Sequence, residues 1–302
     1  MEAIIEPVAT SLLKAELNES KLLCDTSHGG FQVYMVDNDS APSVLQEIGR
    51  LRELAFRGNG GGTGKAIDLD RFDLDTSLGF KQLVLWDPSA EMIAGGYRIL
   101  FGNRCRLDAD GQPMMPSAHL FRFSDEFVSD YMPQTAELSR SFITSSFLQD
   151  SNAIRNVFAL DGLFEGICTA VAPTGIQYFF GKVTFYPTYP KEALWLISRF
   201  FEKHAASSLV APHKPFPVNP VEGEEEVLSH EGYKDGFRAL KLEFRKRGYW
   251  IPPILNSYIN ISNKLRFFGS AVNDEFGDVI EMGLLVGLAD IETERYRQIL
   301  KR

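Results

Sequence analysis

Apolar and polar positions follow two different periods along this 302-residue chain. A period of two marks a strand, because successive side chains leave a pleated strand on opposite faces; a period between three and four marks an amphipathic helix. FQVYMVD (31–37) alternates and predicts a strand. APSVLQEIGRLRELAFR (41–57) sets Val44, Leu45, Ile48, Leu51, Leu54 and Ala55 on one face of a predicted helix. KQLVLWD and EMIAGGYRILFG (81–87 and 91–102), joined through Pro88-Ser89-Ala90, predict a hairpin. SDEFVSDYM (124–132) opens on Ser124, a residue type whose hydroxyl caps helix N-termini, and predicts a short helix. TAELSRSFI (135–143) predicts a strand, and a polar stretch then leads to a helix over 156–172, stopped by Pro173-Thr174-Gly175. IQYFFGKVTFY (176–186) predicts a strand. Pro190 opens a helix over 190–206 with an apolar stripe of Leu194, Ile197, Phe200 and Phe201.

The pattern breaks at 208–228, where four prolines and the acids Glu222, Glu224, Glu225 and Glu226 predict an exposed linker. Beyond it, 235–248 predicts a basic helix, 279–287 a strand, and the C-terminus a charged helix. The order β, α, hairpin, short helix, β, α, β, α predicts an α/β fold with a mixed sheet flanked by helices on both faces. The expected division is a core at 1–207, the linker at 208–228, and a C-terminal extension at 229–302 packing on the core.

Composition narrows the function. With 44% apolar and 24% charged residues, the chain has the profile of a folded globular protein. Its formal net charge is −9 and it has no long Lys/Arg block, which argues against nucleic acid as a partner. The same charge repels an acidic partner at long range, so docking one requires a local basic patch. Arg238, Lys241, Arg245, Lys246 and Arg247 form the best patch for an acidic carrier protein or an anionic lipid surface. Cys24, Cys105 and Cys168 are isolated in sequence, so neither a zinc site nor a disulfide framework is expected, and a cytoplasmic location is. Glu2 and Glu6 at the N-terminus, and the lack of any run of 18 uncharged apolar residues, predict neither signal peptide nor membrane span.

Three common chemistries fail on spacing. GNGGGTGK (58–65) has Asn59 and Ala66 where a phosphate-binding loop needs glycine and a hydroxyl, so it reads as a lid or a plain surface loop. No GxSxG elbow occurs, and none of the five histidines has an acid at the spacing of an HxxxxD motif. The segment that stands out is Glu137-Leu138-Ser139-Arg140, an acid and a base three apart in an otherwise strand-like run. Buried charges must be paired or used. Positions three apart face opposite sides of a regular strand, so both reach one site only if a bulge intervenes.

Taken in order, Arg52 and Phe56, the cluster Asp68, Asp70 and Asp73, Gly96-Tyr97-Arg98, Glu137 and Arg140, and FALDGLFEGI…YFFGKVTFYPTYP resemble the acyl-carrier-protein-dependent N-acyltransferases that make ornithine and glycine lipids. These are related to the GNAT (acyl-CoA N-acyltransferase) fold and are cousins of the acyl-homoserine-lactone synthases. The glycine loop stands where those cousins usually carry a tryptophan. The resemblance implies transfer of a long-chain (3-hydroxy)acyl group from acyl carrier protein to the α-amine of an amino acid, glycine slightly over ornithine, giving a lyso-aminolipid. It implies no metal and no permanently bound cofactor, with the acyl-phosphopantetheine of the carrier (or acyl-CoA) as co-substrate and peripheral contact with the inner membrane. Glu137 and Arg140 are then the catalytic candidates, and Arg52, Phe56, Asp68, Asp70, Asp73, Arg98 and Ser139 the substrate-binding ones. The phosphopantetheine arm is expected to pair with strand backbone where the sheet opens between the Glu137 strand and the 176–186 strand. Acetyl-CoA-dependent relatives hold a pyrophosphate on a glycine-rich turn that the sequence lacks between Phe142 and Gly162. An acetyl-CoA-dependent enzyme and a haemolysin-like membrane-active protein are the alternatives.

Overall fold

The computed structural model describes residues 1–144, 153–262 and 264–301. Part of the polar stretch after the Glu137 strand, and part of the Phe142–Gly162 interval, therefore lie outside the described residues. Helix α1 (Thr10–Glu16) and strands β1 (Leu22–Asp25) and β2 (Gln32–Val36) precede α2 (Pro42–Arg57) and the single turn α3 (Arg71–Leu74). The hairpin β3 (Lys81–Asp87) and β4 (Met92–Phe101) follows, then β5 (Phe121–Phe123) and β6 (Thr135–Ile143). Next come α4 (Ala153–Val171), β7 (Tyr178–Phe185), α5 (Lys191–Ala205), β8 (Val210–Pro212) and α6 (Glu225–Leu228). The chain ends with α7 (Tyr233–Arg247), α8 (Pro253–Ile261), β9 (Leu265–Asn273), β10 (Val279–Gly287) and α9 (Glu294–Leu300).

Among the described residues, eight strands form one sheet in the order β1-β2-β3-β4-β6-β7-β10-β9, while β5 and β8 pair separately. Every neighbouring pair in the large sheet is antiparallel except β6–β7, which is parallel. One face carries Leu83, Leu85, Ile99, Leu138 and Phe179 into a core beneath α4 and α5. The other face is split. Val84 and Trp86 pack with Ile48 and Phe56 of α2, and Leu100 and Phe180 pack with Phe121, Phe123 and Phe127. Arg98 sits between these two apolar patches on β4, directly opposite Gln82 on β3. The alternation of the strands thus delivers two polar side chains into a gap between apolar ones.

Residues 124–132 do turn helically, as a π-helical turn over Phe127–Tyr131 with the Ser124 hydroxyl accepting from the Phe127 N–H at 3.1 Å. The expectation of an exposed linker at 208–228 needs correction. β8 pairs with β5, and Val221 and Val227 are buried. Glu224 accepts from the Val221 N–H and pairs with Arg199. Prolines that read as linker instead suit short edge pairing, where a missing N–H costs little. β1, α8 and β9 were not expected from the pattern. Pro252-Pro253 reads as a break, yet Pro253 occupies the first turn of α8, where its missing N–H is harmless. No described helix is long and apolar enough to cross a membrane.

Candidate active site

β6 and β7 run together only from Thr135↔Tyr178 to Leu138↔Gly181, and beyond that they part. A cleft of about 150 Å³ fills the opening. Leu138, Ser139, Arg140 and Ser141 of β6 form one wall, and Lys182 and Thr184 of β7 with Tyr186 just beyond it form the other. Phe56, Phe276 and Glu281 line one end; Tyr97, Ile254 and Tyr258 line the other. Gly181 marks the parting point, and a side chain there would strike the Tyr258 hydroxyl at 2.8 Å. A second cavity of about 450 Å³ shares Tyr97, Ile254 and Tyr258 with the cleft and continues between α4 and α8 past Leu160, Phe164 and Tyr296. The cleft is charged; the space behind it is largely apolar.

A bulge, the condition for Glu137 and Arg140 to reach one site, is present in β6. Gly96 faces Phe142 and Arg98 faces Ser139, so one extra residue is inserted in β6. Arg140 carries the distortion, with φ at +53°. A non-glycine residue in this region is uncommon and costs roughly 1 kcal/mol or more, so the surrounding contacts must hold it there. They are its ion pairs to Asp68 (3.2 Å) and Asp70 (3.7 Å) and its stacking over Phe276 at 4.8 Å. Among the described residues Arg140 pairs with these aspartates and not with Glu137. Glu137 is buried next to the cleft-lining Leu138, accepting from the Ser117 hydroxyl at 2.5 Å, while its Oε2 has no hydrogen-bond partner among the described residues.

The other expected site residues converge on one buried network. Arg52 donates to Asp73 at 2.9 Å and to Gln82 at 2.5 Å. Arg98 donates to Asp70 at 2.7 Å and to Ser139 at 3.2 Å, and pairs with Asp73 at 3.0 Å. Asp70 caps α3 by accepting from the Phe72 and Asp73 N–H groups, and Asp73 returns the bond to the Asp70 N–H. Asp70 and Asp73 therefore form a capping box whose remaining carboxylate valences grip three arginines, Arg52, Arg98 and Arg140. Burial opposes ionisation of Asp73, but the Arg52 and Arg98 guanidiniums overcome it and hold its carboxyl well below the usual range. Burial pushes the Asp68 carboxyl up, with Arg140 and Arg52 only partly opposing it. Neither Asp68 oxygen accepts a hydrogen bond from a described residue. Phe56 packs edge-on against Phe276 at 5.3 Å.

The glycine loop lies over this end of the cleft. A Cβ on Gly61 would meet Tyr186 at 2.8 Å, and one on Gly277 would meet the Gly60 carbonyl at 2.9 Å. Glu53 pins the loop by accepting from the Thr63 and Gly64 N–H groups and from Arg57. The basic patch on α7 is reduced by its neighbours. Lys246 pairs with Glu226 and Glu243, and Arg247 pairs with Glu243. Arg238 pairs with Asp235 on its own helix, Lys241 lies over the Phe237 ring at 4.6 Å, and Arg245 is exposed.

Sequence reasoning missed Lys182, Thr184, Glu281 and Tyr258. Lone charges in the apolar runs YFFGKVTFY and VIEMGLLVG were the available signal for two of them.

Residues 51–155 match the family model described as an acetyltransferase (GNAT) domain. The fold is accordingly GNAT-like. A glycine N(alpha)-acyltransferase of Bacteroides thetaiotaomicron is 43% identical, covering 99% of this chain and 90% of that protein. A glycine N(alpha)-acyltransferase of Phocaeicola vulgatus is 41% identical over 99% of this chain and 93% of that one. Among solved structures, the CoA-dependent acyl-homoserine lactone synthase BjaI is a distant likeness, with 11% identity, 90% and 88% coverage and a TM-score of 0.40. Identity above two-fifths across nearly the whole length of both chains places this protein in the N-acyltransferase family of those two relatives.

Proposed function

We propose that this acyltransferase moves a long-chain (3-hydroxy)acyl group from acyl carrier protein to the α-amine of glycine, as a step of aminolipid synthesis. The observation that carries this reading is the parting of β6 from β7 with a charged cleft on one side and a larger apolar cavity behind it. Strand backbone released from the ladder can hydrogen-bond the amide-bearing phosphopantetheine arm, and the apolar cavity takes the acyl chain. The relatives' names supply glycine as acceptor. The carrier docks beside Arg238, Lys241 and Arg245, with Lys246 and Arg247 engaged mainly by the protein's own acids, and the lipophilic product brings peripheral contact with the membrane.

In this reading the acceptor ammonium first releases one proton to solvent, and the neutral amine then gives up a second through water to Glu137, which is buried next to the cleft-lining Leu138 and whose Oε2 has no hydrogen-bond partner among the described residues. The nitrogen lone pair forms the C–N bond, the thioester C–S bond breaks, and its electron pair leaves on sulfur. The Tyr258 hydroxyl at the parting point supplies the proton that makes the thiol, and solvent restores both groups. Backbone N–H groups of the bulged strand stabilise the tetrahedral oxyanion. Arg140, engaged by Asp68 and Asp70, holds the shape of the wall.

The test is product mass spectrometry with palmitoyl- and 3-hydroxypalmitoyl-carrier protein, the matching acyl-CoAs in parallel, and a pool of amino acids. N-acylglycine from carrier protein is the expected product, and Glu137→Gln lowers kcat by about 100-fold or more. A different acceptor replaces glycine; transfer from CoA alone removes the carrier; no transfer from either donor overturns the reading.

A further inference from the structure

An amino-acid acceptor arrives as a zwitterion, so its subsite must offer a cation and an anion a few ångströms apart. Three cations line the cleft: Arg98, Arg140 and Lys182. Arg98 holds Asp70, Asp73 and Ser139, although its Nη2 has no hydrogen-bond partner among the described residues; Arg140 pairs with Asp68 at 3.2 Å and Asp70 at 3.7 Å and stacks over the Phe276 ring. Lys182 differs. Its side chain is only 13% exposed, and its one ion pair among the described residues is a loose contact of 3.7 Å with Glu281. No described residue accepts a hydrogen bond from its ammonium. An ammonium with no hydrogen bond to a described residue keeps its donors available for a ligand in the cleft.

Glu281 is the matching anion. It is the one carboxylate among the described residues that line the cleft. β10 places it directly opposite Thr184 of β7, two residues along from Lys182 on the same face. The Thr184 hydroxyl donates to Oε2 at 3.1 Å and the Asn273 amide to Oε1 at 3.3 Å. Those bonds fix the carboxylate while leaving about half of its roughly four acceptor positions open. Side chain and partners lie just past Gly181, where the sheet opens.

We propose that Lys182 and Glu281 form the acceptor subsite: the Lys182 ammonium takes the carboxylate of the incoming amino acid, and the Glu281 carboxylate holds its ammonium at the mouth of the split. This assignment rests on the N-acyltransferase reading above and adds to it the residues that recognise the acceptor. It also gives a use to the lone charge in each of two otherwise apolar strands. Each neutralises the other when the site is empty, and the zwitterion inserts between them with both charges matched.

The experiment compares glycine with glycinamide, which keeps the amine and lacks the carboxylate, in wild type, Lys182→Met, Lys182→Arg and Glu281→Gln. Lys182→Met raises KM for glycine roughly 30-fold, leaves KM for the acyl donor unchanged, and removes the preference for glycine over glycinamide. Lys182→Arg recovers part of that preference. Glu281→Gln raises KM for glycine and glycinamide alike. A Lys182→Met enzyme that still prefers glycine over its amide overturns the proposal, as does an unchanged KM in both variants. If the wild type acylates another amino acid, the glycine reading alone falls, and the pair is judged on that amino acid against its amide. If the wild type transfers no acyl group, thermal shift decides: excess glycine stabilises wild type but not folded Lys182→Met, and equal shifts overturn the subsite.

Discussion

At the scale of single residues, the network around Arg52 and Arg98 shows carboxylates of opposite electrostatic character only a few residues apart. Asp73 has two guanidinium partners and a folded-state affinity for protons well below normal. Its contribution to stability is complete above the unfolded-chain value of about 3.9 and is lost as pH falls from there towards the depressed folded value. Asp68 has the reverse sign. Its carboxyl is raised by burial, so what it contributes is present at low pH and lost as pH rises through the folded value. Urea unfolding between pH 6 and pH 3 should therefore show wild-type stability falling below about pH 4, and a shallower fall in Asp73→Asn. Equal slopes would mean that the Arg52 and Arg98 pairs do not couple to protonation of Asp73. Breaking this pair should also lower stability by about 3–5 kcal/mol at neutral pH, because it leaves guanidinium charge buried without its partner.

The element that matters most at the next scale is the bulged end of β6, with the loop that covers it. The extra residue turns Arg140 towards Asp68 and Asp70 and ends the pairing with β7, so one distortion both orients a cation and opens the cleft. Over this opening lies a loop with few apolar side chains of its own, shaped by Glu53 accepting from Thr63, Gly64 and Arg57. Burial would raise the Glu53 carboxyl, but the Arg57 and Thr63 hydrogen bonds hold it below its ordinary value, so it stays charged at neutral pH. Arg57 and Lys65 bracket the loop and are trypsin sites. Glu53→Ala is expected to speed cleavage there about 10-fold or more, with the rest of the chain protected. Unchanged cleavage would show that packing against Tyr186 and Gly277 fixes the loop without Glu53.

For the whole molecule, the question is whether residues 1–207 form a unit. β10 pairs with β7 along eight positions, from Ile280↔Phe185 to Gly287↔Tyr178, and supplies Leu284 and Val286 to the core as well as Glu281 to the cleft. A fragment ending at 207 would expose the apolar edge of β7 and is expected to aggregate. Size exclusion and urea unfolding test this, and a monomeric, cooperatively unfolding fragment would restore the sequence-based division. Local pattern by itself determined the helix at 41–57, the hairpin, and the strands at 135–143 and 176–186, because each depends on side-chain periods within one segment. The resemblance to the N-acyltransferases, and not the local period, picked out Arg52, Asp70, Asp73, Arg98 and Ser139, which the fold does bring together. Tertiary structure alone decided that Arg140 faces the aspartates and not Glu137, that 208–228 is built into the molecule, and that Lys182 meets Glu281. Those outcomes depend on pairing across about a hundred residues of chain, and strand register at that distance is set by packing of the whole sheet, which no local period encodes.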